Sequence, residues 1–380
     1  MGIRKFIVVI AAALSLLAAS AFADDSIKVG AILAVTGPAS NLGAPEARTL
    51  EMLVEDMNAR GGIIGKKVEL IVKDTGGSPE KAVSFAKQLI EEERVFAIIG
   101  PSTSGETMAI KNLAEAGKTI LLSCAAAEVI VNPLGKYVFK VAPKDSYAAM
   151  KIFQQMKKMK ITKIGVLSSN TGFGKAGKDQ LEKLAPENGI QILISEVYDK
   201  SATDLTAEVT KLKAKGVQAI VNWSIEPAQA IVIKNARQIG MTVPIFQSHG
   251  FANIQYAQAA GIAAEGVIFP ASRIIVADLL PDKHLQKPVV MAYRKAYETK
   301  YSEDVSTFGG HAYDAMMILS RAIREGGYDR EKVRTSIEHI KGFFGTAGIF
   351  SFSPTDHNGL DIESFVMLTV KDGKFALLDR

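Results

Sequence analysis

A turn rich in glycine, serine and threonine, "IGPSTSGET" at residues 99–107, contains the residue types that first suggest ligand binding. Its spacing is close to that of a phosphate-binding P-loop, but Glu106 occupies the position of the lysine. A carboxylate there would repel phosphate, whereas the helical pattern that follows still places a helix N-terminus at the turn, where anions are favoured. The hydroxyl groups of Ser102, Thr103 and Ser104 can therefore either cap this helix or donate to an anionic ligand.

A second glycine pattern, "GFGKAG" at residues 172–177, matches the G-x-G-x-x-G fingerprint of dinucleotide sites, and Glu196 follows about 20 residues later. However, Asn170 and Thr171 separate the preceding strand-like run from the first glycine. We therefore interpret this stretch as a loop that faces a ligand, with Phe173 at its tip.

No catalytic or metal-binding set is visible in the sequence. The five histidines show no metal-ligand spacing, no G-x-S-x-G motif occurs, and the segment around Cys124 contains no neighbouring base. We predict a protein that is not an enzyme and needs no metal or cofactor, with Cys124 in the core or lining a pocket. Trp223 and Phe251 follow strand-like runs, where ligand contact and core packing both remain open.

The N-terminus predicts export. Arg4 and Lys5 precede an apolar run at residues 6–20, and Ala21-Phe22-Ala23 fits a cleavage site. The mature chain would begin at Asp24. No cysteine lies near the cleavage site, so we expect a periplasmic protein without a lipid anchor, which would have little access to a dinucleotide cofactor.

Length and charge narrow the function classes further. About 357 residues remain after cleavage, enough for two domains. Removal of the leader leaves 43 basic against 40 acidic side chains, a net charge of +3, which gives no reason to expect nucleic-acid binding. One cysteine allows no internal disulfide, so the fold must depend on its apolar cores.

The apolar pattern alternates short strand-like runs with amphipathic helical segments, which predicts parallel sheets covered by helices on both faces. One series ends near Pro143 and a second begins there. Three helical segments follow the second series, and a final strand pair is joined by Asp372-Gly373, a hairpin signal.

The sequence resembles a known family over nearly the whole mature chain. The stretch "IKVGAILAVTGPASNLGAPEARTLEMLVEDMNARGGIIGKKVELIVKDTGGSPEKAV" and the later "AIIGPSTSG" are similar to the periplasmic Leu/Ile/Val-binding proteins, the type I substrate-binding proteins of branched-chain amino acid ABC importers. The resemblance implies an α/β fold of two doubly wound, Rossmann-like lobes joined by a three-strand hinge, with the ligand in the cleft between them. The predicted division is a signal peptide at 1–23, an N-terminal lobe at 24–142 plus 272–352, and a C-terminal lobe at 143–271 plus 353–380.

The same resemblance assigns the ligand contacts. Ser104 would hold the ligand carboxylate. The turn itself adds Ser102 and Thr103 as candidates, because their hydroxyls can donate to the same anion. The residues expected around the remainder of the ligand are Ala125, Ala127, Leu42, Phe173, Trp223, Phe308 and His249.

Two of these positions depart from the family pattern for amino-acid binders. Ala127 lacks the hydroxyl group, and His249 stands where an acidic residue would hold the α-ammonium. A buried ammonium without a carboxylate costs several kcal/mol, so both an amino acid and a non-amino organic or aromatic acid remain open, with a slight preference for the second. Glu226 or another acidic residue remains an alternative partner for the ammonium.

The predicted function is therefore that of an exported, monomeric solute-binding protein that delivers a small carboxylate to an inner-membrane ABC permease. The alternative is a periplasmic receptor component that uses the same fold to sense its ligand. Neither role requires nucleic acid.

Overall fold

The computed structural model describes residues 26–378. The predicted signal peptide and its cleavage site lie outside this range. Among the described residues, no helix has the length and apolar character needed to cross a membrane.

The first lobe is built on a five-stranded, entirely parallel sheet with the order β2-β1-β3-β4-β5. Its strands are β1 (Ile27–Leu33), β2 (Val68–Asp74), β3 (Ala97–Ile99), β4 (Ile120–Ser123) and β5 (Val138–Lys140). These strands are apolar runs, and all but β2 are almost entirely buried. This is the pattern expected of a parallel sheet covered on both faces.

The second lobe contains a seven-stranded sheet with the order β14-β13-β10-β9-β8-β6-β7. Its strands are β6 (Lys163–Ser169), β7 (Gln191–Tyr198), β8 (Ala219–Trp223), β9 (Ile245–Gln247), β10 (Ile268–Ala271), β13 (Val366–Lys371) and β14 (Lys374–Leu377). A short antiparallel pair, β11 (Phe343–Phe344) and β12 (Ile349–Phe350), stands apart from both sheets. Strands β6–β10 are parallel, and β13 and β14 form the predicted hairpin, with positive φ at Asp372 (51°) and Gly373 (70°).

The helices alternate with the strands. Within residues 26–378 they are α1 (Ser40–Ala59), α2 (Pro79–Lys87), α3 (Ser104–Ala116), α4 (Asp145–Lys158), α5 (Gly172–Leu184), α6 (Thr206–Ala214), α7 (Ala228–Gln238), α8 (Ile254–Ala260), α9 (Lys287–Tyr301), α10 (Thr307–Gly326) and α11 (Arg330–His339). The predicted α/β class with parallel sheets is confirmed. Helix α2 continues as a π-helix at Gln88–Glu92, so the hydrogen-bond pattern of this helical segment changes after Lys87.

The chain passes between the lobes three times. It leaves the first lobe after β5 and returns to it after β10. The return is shown by α10, which packs along α1 and shares one apolar core with β1. It then leaves again after β12 to add β13 and β14 to the second sheet. The residue boundaries assigned to the two lobes remain a prediction.

The lobes are in contact across their cleft. A methyl group placed on Gly172 of α5 would lie 2.7 Å from Cα of Gly105 on α3. Elsewhere along the cleft, the Asn253 side-chain amide donates to the Asn41 carbonyl at 3.2 Å. The protein is therefore in a closed arrangement.

Candidate functional site

Both lobes bring their topological switch points to the same cavity. In the first sheet, the direction in which successive strands are added reverses between β1 and β3. In the parallel part of the second sheet, it reverses between β6 and β8. Crevices at such points, outside the carboxyl ends of the strands, are where open α/β sheets bind ligands. A small interlobe cavity lies here, and Ser104 after β3 and Phe173 after β6 both line it.

Most of the predicted ligand contacts line this cavity. They are Leu42, Ser102, Ser104, Ala125, Phe173, His249 and Phe308. Three others do not line it. Thr103 lines a second groove, the outer groove, together with Gly105, Gly172 and Glu226. Ala127 and Trp223 are buried in the wall behind the cavity. Because no ligand is present, the contact set itself remains a prediction.

Ser104 is presented by a well-capped helix N-terminus. The Thr103 hydroxyl accepts from the Glu106 N–H, and the Glu106 carboxylate accepts from the Thr103 N–H at 3.2 Å, forming a capping box. Since the first N–H groups of a helix have no intrahelical acceptor, those of Ser104 and Gly105 remain available. The Ser104 hydroxyl accepts from the Ala127 N–H at 3.2 Å and keeps its own proton for donation.

Glu106 thus has a structural role in place of the P-loop lysine. Its buried carboxylate also accepts from the hydroxyls of Thr103 at 2.6 Å and of Thr75. Burial raises the pKa of Glu106, and hydrogen bonds from Thr103 and Thr75 oppose the shift.

Two other predicted contacts are already engaged within the protein. The Ser102 hydroxyl accepts from the Ala34 N–H at 3.0 Å and donates to the carboxylate of Glu46. The Ala125 N–H donates to the Ser123 hydroxyl at 3.1 Å. Ser104 is therefore the predicted hydroxyl residue with a proton free for an anion.

The glycines of "GFGKAG" are explained by packing. A side chain on Gly177 would lie 2.0 Å from Nε1 of Trp223, and one on Gly174 would lie 2.0 Å from the Ser169 carbonyl oxygen. Gly172 makes the contact between the lobes. The fingerprint therefore reflects three close approaches within the protein, which supports the interpretation that it is not a dinucleotide site.

Aromatic side chains form the wall of the second lobe. The rings of Phe173 and Trp223 are 5.9 Å apart, and Trp223 and His249 meet edge to face at 5.6 Å. Trp223 supports this wall from behind. Phe251 belongs instead to the core, where it packs against Phe269 at 5.2 Å, so core packing explains this position.

His249 is an unpartnered imidazole in this wall. It is 6% exposed, and neither ring nitrogen has a hydrogen-bond partner. Its Nε2 lies 3.6 Å from Oδ1 of Asp145. Burial, with the nearby positive charge of Lys140 and the ring of His311, lowers the pKa of His249 to about 3, so the ring is neutral.

His311 is a lining residue that the sequence analysis did not select. It is 4% exposed, and burial together with Lys140 lowers its pKa to about 3, against the opposing effect of a hydrogen bond with the Cys124 backbone. It lies three residues after Phe308 on α10, and both side chains line the cavity. Since residues at this spacing share one helix face, the position of Phe308 could have identified it.

Acidic side chains are absent from the lining of this cavity among the described residues. Glu226 lies at the outer groove, where it accepts from the Ser224 hydroxyl at 2.7 Å and the Ile225 N–H at 3.2 Å. Asp145 stands behind His249. Burial raises the pKa of Asp145 and lowers that of Lys140, and the attraction between these two groups opposes both shifts.

Cys124 also lines the cavity, as one of the two predicted placements. Burial raises the pKa of its thiol well above the ordinary value, so the group is a neutral thiol and a poor nucleophile. Within residues 26–378 no cluster of histidine, cysteine and acidic side chains has the arrangement of a metal site.

Comparison with known proteins gives a consistent result. The family model described as "Periplasmic binding protein" matches residues 26–374. A leucine-, isoleucine-, valine-, threonine- and alanine-binding protein of Pseudomonas aeruginosa is 25% identical over 325 residues, covering 84% of each chain. A Leu/Ile/Val/Thr-binding protein of Salmonella typhimurium is 26% identical and covers 80% of each.

Solved structures agree on the two-lobe fold. An extracellular ligand-binding receptor of Rhodopseudomonas palustris HaA2 superposes with a TM-score of 0.87 at 28% identity, covering 93% of this chain and 99% of the other. The branched-chain amino acid binding protein LivJ of Streptococcus pneumoniae, in complex with isoleucine, gives a TM-score of 0.81 at 26% identity, covering 92% and 97%.

Proposed function

The chain belongs to the periplasmic binding protein family, and we propose that it captures a small carboxylate between its two lobes and delivers it to an inner-membrane ABC permease. Closure around a ligand is a common conformational change in two-lobed binding proteins. The closed shape is then what a permease can recognise. Such a protein binds and releases its ligand without chemical conversion.

The observation that carries the proposal is the set of hydrogen-bond donors at the N-terminus of α3. Ser104 and the first N–H groups of α3 supply donors at a helix N-terminus, where an anion is stabilised. Charge-assisted hydrogen bonds of this kind contribute about 1.5–3 kcal/mol each. An anionic group of the ligand is therefore matched, and Phe173 offers an apolar surface to the rest of the ligand.

The lining favours an acid without an ammonium group. The relatives from P. aeruginosa and S. typhimurium are named for the amino acids that they bind. Here no carboxylate lines the cavity within residues 26–378, Glu226 is engaged at the outer groove, and His249 is neutral. Amino acids remain within the proposed class, but a non-amino organic or aromatic acid fits these groups better.

Localisation and assembly complete the proposal. The leader at residues 1–23 would direct the chain to the periplasm, and the mature protein would act there as a monomer without a lipid anchor. The family assignment supports this compartment. The proposed partner is the permease complex.

Thermal-shift screening of the mature protein tests the ligand class. The panel contains branched-chain amino acids, aromatic acids and short dicarboxylates. A ligand at 100 times its Kd stabilises the protein by about 2.7 kcal/mol, which is easily measured. Stabilisation by leucine or valine, with no response to the acids that lack an amino group, would overturn the preference for a non-amino ligand. No response to any carboxylate would overturn the proposal.

Ser104→Ala tests the anion site. We expect the affinity for the best acid to fall more than tenfold, because the hydroxyl donor is lost. Ser201→Ala, at an exposed position, is the control. Uptake of the labelled acid by cells that carry or lack the gene then separates an import function from a purely sensory one.

A further inference from the structure

Among the residues that line the cavity, His249 and His311 carry ring nitrogens that the carboxylate site leaves unexplained. We propose that these histidines together recognise a hydroxyl group on the ligand, which makes the ligand a hydroxy-substituted acid. The inference rests on the proposed function and specifies its ligand class. Both rings line the same cavity as Ser104, so one small molecule can reach all three.

The ring nitrogens need partners that the protein does not provide. Both Nδ1 and Nε2 of His249 are buried without a hydrogen bond, and one nitrogen of His311 interacts with the Cys124 backbone, so each ring keeps at least one nitrogen without a partner. A buried polar atom without a partner is costly, and a site built to bind a hydroxyl therefore discriminates strongly against the analogue that lacks it. An acid with a purely apolar body would leave at least one nitrogen of each ring unpaired after closure.

The surroundings of the rings select a donor on the ligand. A neutral imidazole has one N–H donor and one lone-pair acceptor. Nε2 of His249 is 3.6 Å from the Asp145 carboxylate, and a shift of roughly 0.6 Å would give a normal hydrogen bond. With its N–H directed at Asp145, His249 retains an acceptor at Nδ1. A ligand oxo group or second carboxylate carries no proton for that acceptor, whereas a hydroxyl does.

The local charge selects a neutral donor over an ammonium. Burial is the main cause that lowers the pKa of both His249 and His311, and the nearby Lys140 lowers it further, so the surroundings of both rings disfavour a cation. An ammonium placed between the rings would meet the same burial and the same positive charge. Asp145 does not offset that charge freely, because its own charge already interacts with that of Lys140.

Calorimetric titration with matched acids tests the assignment. The set has hydrogen, hydroxyl, oxo or ammonium at carbon 2 of 4-methylpentanoate and of 3-phenylpropanoate, with benzoate and its 3- and 4-hydroxy derivatives as a third skeleton. On at least one skeleton we expect the hydroxy acid to bind at least tenfold more tightly than the acid with hydrogen. Equal affinities, or tighter binding of the oxo or ammonium compound, would overturn the assignment while leaving the carboxylate site intact. Binding of none of these acids would instead count against the proposed function.

Variants assign the preference to the two histidines. In His249→Phe and His311→Leu the ratio of affinities for the hydroxy and unsubstituted acids should fall towards one. His339→Phe, at an exposed position on α11, is the control and should keep the full ratio. An unchanged ratio in folded His249→Phe and His311→Leu would refute their role.

Asp145 acts as a positioning residue for His249. Asp145→Leu removes the acceptor oxygen and should lower the same ratio. Asp145→Asn keeps an acceptor oxygen and should restore the ratio. A general loss of packing would lower the affinity for both acids together and leave their ratio unchanged, which would refute the positioning role.

Discussion

The contact between Gly172 and Gly105 allows the closed state to be tested by adding one methyl group. A Cβ on Gly172 would lie 2.7 Å from Cα and 2.9 Å from N of Gly105, both backbone atoms of the opposite lobe. Ordinary carbon–carbon contacts are about 3.5–4.0 Å. The lobes of Gly172→Ala would therefore have to remain roughly 1 Å further apart at this point.

The expected loss of ligand affinity depends on the conformational state in which the clash occurs. Overpacking costs about 1–3 kcal/mol, and here it arises when the lobes close. If closure accompanies binding, this cost weakens the affinity about 5- to 150-fold, since 1.4 kcal/mol corresponds to a factor of ten. The open form of the protein should not lose stability, because it lacks the clash and alanine is a better helix former than glycine in the first turn of α5.

Fluorescence titration of Trp223, the single tryptophan of the sequence, provides the assay, because its ring adjoins Phe173 and His249. Gly105→Ala is the matched control. A methyl group there has its nearest atom in the other lobe, N of Gly172, at 3.8 Å, an ordinary contact. If Gly172→Ala bound the acid as tightly as Gly105→Ala and the wild type, the closed contact would not belong to the liganded state.

Two further substitutions probe the helix cap and the buried imidazole. Thr103→Ala should lower the free energy of unfolding by about 1–2 kcal/mol, because the capping box is lost, whereas Thr103→Ser should retain most of it; urea unfolding measures both, and equal stabilities would exclude the box as a stabilising element. The pKa of His311 is lowered to about 3 from 6.5, so its contribution to stability is present above pH 6.5 and lost as the pH falls towards 3. The difference in the free energy of unfolding between His311→Phe and the wild type should therefore shift by about 2 kcal/mol in favour of the variant when the pH falls from 7.5 to 5. A difference that does not change with pH would show that the ring is not held neutral.

The fold was largely predictable because its signals are local. Apolar runs that alternate with amphipathic segments determine the order of strands and helices, and Asp372-Gly373 predicts a hairpin from backbone conformation alone. An error occurred at a helix start. The stretch "GFGKAG", interpreted as a loop, forms the first turns of α5, because its glycines have weak helix propensity and give little local helical signal.

The sequence by itself indicated a leader, two α/β lobes and a serine at a helix N-terminus, since each depends on residues close together in the chain. The tertiary structure decided which polar groups are already satisfied. Only in three dimensions does Ser102 meet Glu46 and leave Ser104 with a free proton. Likewise His249 and His311, 62 residues apart, line one cavity because the chain crosses between the lobes. Their burial beside Lys140, which makes both rings neutral, is a property of long-range packing that no local pattern carries.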